Sequence, residues 1–180
     1  MAPHIVITLG HHPSQSPRVI RIINLLEQYP CSISVVYAKI SVQSYQDDLA
    51  LFSHSRAVLS PFLDLTSHSL SSIKARLSFR LGRTLAKLSL ETRESLFYSP
   101  GRALRHVLGL NPTCHYGFNE LGAYVSWRLL GRVPVAADFE DFFSEDLLPA
   151  AQHQRPLALI RLLESSLLAG SQFVSTASYS

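Results

Sequence analysis

Cysteine is nearly absent from this chain: Cys31 and Cys114 are the only two in 180 residues. They form no C-x-x-C pair and cannot build a disulfide framework, so reduced thiols in a cytoplasmic setting are expected. Charge is also scarce. Charged residues make up 16% of the chain against 47% hydrophobic, which excludes a disordered segment. The net charge of +3 is too mild to imply a nucleic-acid partner. No apolar run reaches the ~18 residues of a membrane span. The opening MAPHIVITLGHHP has a short apolar run and no charged leader, so it reads as a first strand and not as a signal peptide. A G-x-G-x-x-G fingerprint, a phosphate-binding P-loop and a G-x-S-x-G elbow are all missing. Internal repeats and low-complexity tracts are missing too.

What is present is an alternation of strand-like and helix-like segments. His4–Leu9 is a β-branched run suited to a strand buried on both faces. Gly10-His11-His12-Pro13 breaks it. Ser16-Pro17 then reads as an N-cap with proline at the first helical position, followed by Val19, Ile22, Ile23 and Leu26 at helical spacing. Ser32–Ala38 is a second strand. A polar loop over Lys39–Ser55 leads to a weaker strand near Ala57–Leu63. Leu70–Leu90 is strongly helical and Gly101–Leu108 is a shorter helix. Thr113–Gly117 and Val133–Ala137 are strands around a helix over Glu120–Leu130. Pro156–Ala169 is helical, and Gln172–Thr176 is a last strand.

Repeated strand–helix–strand units predict an α/β, Rossmann-like domain: a mostly parallel sheet with helices on both faces. Ligands of such sheets bind at the carboxyl ends of the strands. That rule gathers Gly10-His11-His12, His115-Tyr116 and Asp138-Phe139-Glu140-Asp141 into one crevice. The last group belongs to a run of five carboxylates, Asp138, Glu140, Asp141, Glu145 and Asp146. Asp138 either faces the crevice or caps its own turn. Glu140 either binds a hydroxyl, or acts as a base, or is solvated. Glu145 and Asp146 suit the start of a helix. Carboxylates can hold a hard cation, but no metal site is expected. Arg18 stands in the first turn of its helix, where the dipole disfavours a cation. That conflict points to an anionic partner, a phosphate or a carboxylate such as Glu140, unless Arg18 is simply a surface residue.

Ile73, Leu77, Leu81, Leu85 and Leu88 form an apolar stripe on the long helix. Arg76, Arg80, Arg83 and Lys87 share an arc of ~60° beside it, at ~100° per residue. From Lys74 to Arg105 there are eight Lys/Arg and two acids, Glu91 and Glu94. Lys74 and these bases suit an anionic membrane surface, with Phe79 and Leu90 available for insertion. They equally suit a solvated face of a helix that covers the sheet. The patch lacks the interleaved aromatics of a single-strand nucleic-acid binder.

These segments together resemble the N-terminal domain of family-four glycosyltransferases, retaining enzymes of the GT-B fold. Ser16-Pro17-Arg18-Val19 looks like the family's D-P-R-V helix start. Cys114-His115-Tyr116 sits where the family often has H-A-H-D. Val135–Glu145 (VAADFEDFFSE) looks like V-V-Y-D-x-H-E-L-F-x-E, with Asp138 and Glu145 on the family's aspartate and glutamate, and Glu140 in the place of its histidine. Glu164–Ser178 is similar to the segment that closes the domain. The resemblance implies an acceptor-side half of an enzyme that moves a hexose from a nucleotide sugar to a glycan or lipid-linked acceptor, with no further cofactor. His115, Asp138 and Glu140 would orient the reacting sugars. Gly10, His11, His12, Arg18, Tyr116 and Asp141 would line the binding site, with Gly10 letting the backbone approach a phosphate. A nucleotide-sugar-binding second domain is expected beyond residue 180, and these residues alone are expected to be inactive. Two other classes fit the same pattern: a non-catalytic Rossmann-like partner or regulatory subunit, and half of a GT-B-like sugar-nucleotide epimerase.

Overall fold

A computed structural model describes residues 2–139 and 155–176. Six strands are found among them: β1 (His4–Thr8), β2 (Ser32–Lys39), β3 (Val58–Asp64), β4 (Cys114–Phe118), β5 (Val135–Phe139) and β6 (Phe173–Thr176). The helices between them are α1 (Pro17–Leu26), α2 (Val42–Leu51), α3 (Leu70–Lys87), α4 (Pro100–Gly109), α5 (Asn119–Leu129) and α6 (Leu157–Gly170). All neighbouring strands pair in parallel, in the order β3-β2-β1-β4-β5-β6. The chain starts mid-sheet, walks outward to β3, then crosses back past β1 to β4. This is the Rossmann-like α/β architecture, and its strand order reverses between β1 and β4.

Right-handed crossovers put the helices of the two walking directions on opposite faces. The pleat divides each strand accordingly. Ile7, Leu9, Ile33, Val35 and Tyr37 pack on one face with Val19 and Ile23 of α1. Val6, Val36, Ala38, Ala137 and Phe139 pack on the other, against α4, α5 and α6. Helix α5 lies unusually close to the sheet. A Cβ on Gly117 would sit 2.4 Å from the Gly122 carbonyl oxygen, and one on Gly122 would sit 2.5 Å from the Thr8 oxygen.

Local chemistry explains most boundaries. Ser16 Oγ accepts from the Val19 N–H, with Pro17 in the first turn of α1. Pro61 lies within β3, which is tolerable because β3 is the sheet edge, and the register slips beside it at Tyr37/Ala38. Two expectations are corrected. The polar stretch over 39–55 contains α2, capped by Ser41, whose side chain accepts from the Ser44 N–H. The strand expected at Val133–Ala137 runs two residues later, so Asp138 lies within β5. The apolar stripe of α3 does not supply its buried face. Its buried residues are the small Ser72, Ala75, Gly82 and Ala86, and at Gly82 the turn at Arg93–Ser95 comes so close that a Cβ would meet the Ser95 nitrogen at 2.7 Å.

Candidate functional site

The turn after β1 and the start of α5 meet at the reversal point of the sheet. Asn119 joins them. Its φ of 53° is left-handed, a conformation asparagine accepts more readily than most residues. Its Oδ1 accepts the N–H groups of Gly10 at 3.1 Å and Leu121 at 3.2 Å. Its Nδ2 donates to His11 Nδ1 at 3.1 Å, which fixes that ring nitrogen as an acceptor. A cavity of about 300 Å³ opens here. Gly10, His11 and Asn119 lie on one side, and Phe97, Leu121 and Ile40 supply apolar walls. Glu120 and Arg155 form an ion pair along it. An apolar wall beside a few fixed polar groups suits a ligand with one apolar face and a rim of hydroxyls.

A second cluster lies at the end of β5, on the α1 face. Asp138 Oδ1 accepts from Arg18 at 2.8 Å, and its Oδ2 accepts from Ser175 Oγ at 2.7 Å. Ser175 also lies 3.2 Å from the Tyr116 hydroxyl. Asp138 is 5% exposed while the Arg18 side chain is one-third exposed. The cation in the first turn of α1 thus pairs with a carboxylate, Asp138, among the described residues. Burial raises the Tyr116 hydroxyl above its ordinary range, so it stays protonated at neutral pH and able to donate.

Other expected site residues stand elsewhere. His115 lies inside β4 and is wholly buried. Its Nδ1 is 3.0 Å from Ser126 Oγ and its Nε2 is 2.9 Å from Thr8 Oγ1. Burial lowers its pKa to about 3, so it is neutral at physiological pH. It bridges sheet and helix and does not point into the crevice, because the pleat turns it under α5. His12 is also turned inward. Its Nε2 accepts from the Ile40 and Ser41 N–H groups at 3.0 and 3.1 Å, so Nδ1 carries the proton and donates to Asp48 at 2.6 Å. That bond ties the turn after β1 to α2. Gly10 lines the cavity, but its N–H is already donated to Asn119. Its missing side chain makes room for Phe97, whose ring a Cβ would meet at 2.9 Å.

Glu140, Asp141, Glu145 and Asp146 lie outside the described residues. Among the described residues no group of three His, Cys, Asp or Glu side chains gathers as for a metal ion. Of the basic residues on α3, Lys74, Arg76, Arg80 and Lys87 are exposed. Arg76 also donates to the Leu65 carbonyl, and Arg83 lies over the Phe79 ring. Phe79 itself turns inward onto Tyr98.

Asn119, Phe97, Glu120 and Arg155 were not legible as site residues. Asn119 carried the one available signal, an asparagine directly after a strand and before a helix, a place for a left-handed residue. Phe97 and Arg155 come from segments far away in sequence.

No family model matches the chain, and no curated protein matches it in sequence. Among solved structures, the spinosyn rhamnosyltransferase SpnG complexed with thymidine diphosphate is similar over 98% of this chain and 45% of its own length, at 12% identity and a TM-score of 0.49. Arabidopsis thaliana UGT89C1 complexed with UDP is similar over 99% of this chain and 46% of its own, at 16% identity and a TM-score of 0.45. A Listeria monocytogenes protein assigned as a UDP-N-acetylglucosamine 2-epimerase is similar over 94% and 42%, at 8% identity and a TM-score of 0.43. The chain spans less than half the length of each of these three proteins.

Proposed function

We propose that this chain is the acceptor-side half of a nucleotide-sugar-dependent, retaining glycosyltransferase, which moves a hexose to a hydroxyl of a glycan or a lipid-linked acceptor. The carrying observation is the cavity at the sheet's reversal point, between Gly10-His11 and Asn119, walled by Phe97 and Leu121. A pyranose has an apolar C–H face for the phenylalanine ring and hydroxyls for His11, Asn119 and the Glu120–Arg155 pair. The order of segments that resembles family-four glycosyltransferases supports the same reading. In this scheme a second domain binds the nucleotide sugar and stabilises the leaving diphosphate. The Asp138–Arg18–Ser175 cluster fixes the end of β5, from which Glu140 and Asp141 follow. Asp138 orients sugar or acceptor at the crevice edge.

The test uses the longest protein that the source DNA encodes in this frame. It is incubated with a panel of nucleoside diphosphate sugars and hydroxyl acceptors, and nucleoside diphosphate release and product anomers are followed. Transfer with retained configuration is expected, with no turnover by the 180-residue chain alone. An epimerised nucleotide sugar would make this chain half of an epimerase instead. Enzyme-like turnover by the isolated chain would refute the two-domain scheme. No turnover by any form would leave a non-catalytic partner as the better reading.

A further inference from the structure

We propose that α3 is a bilayer-docking helix, whose outward leucine stripe seats in the interface of an anionic lipid membrane. The inference does not rest on the glycosyltransferase reading. Its first observation is the orientation of the helix. The small residues Ser72, Ala75, Gly82 and Ala86 face the protein. The opposite face carries Leu70, Leu77 and Leu81, with Leu88 directly after the last helical residue, and these are 76%, 59%, 60% and 67% exposed in that order. With Ile73 they fall within an arc of ~80°, at ~100° per residue. Single exposed leucines need no explanation, but a line of them along one face of an 18-residue helix, broken only by Thr84, marks a contact surface.

The second observation is charge. Helix α3 contains no Asp or Glu, and Arg80 and Lys87 stand exposed along one flank of the stripe. Among the described residues no carboxylate forms an ion pair with Lys74, Arg76, Arg80, Arg83 or Lys87. Lys74, on the other flank, borders a cleft of about 550 Å³ that Arg93, Arg102, Arg105 and Arg128 also line. Its one acid, Glu94, is already bonded to Arg93 at 2.7 Å. The apolar line is therefore bounded by cations on both sides, and phosphate headgroups complement them. A second copy of the chain does not, because it would bring the same cations face to face. Among the described residues no helix is long and apolar enough to cross a membrane, so α3 lies in the plane of the surface.

The experiment is vesicle flotation of the 180-residue chain, using phosphatidylcholine alone and phosphatidylcholine mixed with phosphatidylglycerol. Binding to the anionic vesicles only, weakening as salt rises, is expected. Leu77→Ser/Leu81→Ser should lower partitioning about tenfold or more. Both side chains are exposed, so the melting temperature should hold. Lys74→Gln/Arg80→Gln/Lys87→Gln, which leaves the stripe intact, should lower it as well. Equal binding to neutral vesicles, no binding, or indifference to both variants would overturn the proposal. So would a dimer in light scattering that Leu77→Ser/Leu81→Ser converts to monomer, because a second copy would then own the face.

Discussion

Asp138 and His115 show how one residue's surroundings set its chemistry. Asp138 accepts from Arg18 and from Ser175 at the same time. Asp138→Asn keeps the shape, removes the charge, and turns an amide NH2 towards one of these donors. A loss of about 1–2 kcal/mol is expected, since charge-assisted bonds are strong but Arg18 is partly solvated. Urea unfolding would measure it, and an unchanged midpoint would dismiss the cluster as ornament. His115 is held neutral, its pKa lowered to about 3 by burial, against about 6.5 in the unfolded chain. Between those values the unfolded state binds a proton that the folded state does not. Stability therefore falls as pH drops from about 6.5 towards 3, on the order of 1.4 kcal/mol per pH unit. His115→Gln should flatten that slope in unfolding curves taken at several pH values. An unaltered slope would mean that other groups govern acid unfolding.

At the scale of elements, close approach decides more than propensity. Helix α5 reaches the sheet through Gly117 and Gly122, and Asn119 at its first residue organises the cavity. Gly122→Ala would place a methyl group against the Thr8 carbonyl. About 1–3 kcal/mol of destabilisation is expected, together with displacement of Asn119. A melting temperature equal to wild type would show that α5 can lift without cost. Helix α6 has no side-chain cap of its own, and the two Glu91 oxygens accept the Ala158 and Leu159 N–H groups at 3.0 and 2.6 Å instead. One of the two acids in the basic stretch thus belongs to a helix N-terminus, where negative charge is favoured. Helix α2 was hidden at sequence level because its residues, VQSYQDDLAL, carry little amphipathic pattern. Its Ser41 cap and its role as the seat of Asp48, which holds His12, are tertiary facts.

For the whole molecule, the parallel sheet and its reversal point direct attention to one edge. If the cavity there takes a sugar, titration of glucose or mannose into the isotope-labelled chain should shift the amides of Gly10, His11 and Asn119 first. Shifts confined to the far side of the sheet would move the site elsewhere. The fold was legible because strands buried on both faces are written as short β-branched runs, such as HIVITL and SISVVYA, set between helical periods. The site was legible only in part. Gly10, His11, Arg18, Tyr116 and Asp138 do gather near the strand ends, in two clusters. His12 and His115 look the same as ligands in a sequence, yet the turn and the pleat direct both into the interior.

The residue pattern alone determined the alternation of strands and helices, because burial on a pleated or helical surface imposes its own period. It also determined that α3 would carry leucines beside cations. Which of its faces turns inward was decided by tertiary packing, since at Gly82 the turn at Arg93–Ser95 leaves no room for a side chain. The same holds for the partner of Arg18. A cation out of place in a first turn announces an anion, but only the folded chain brings up Asp138, 120 residues away.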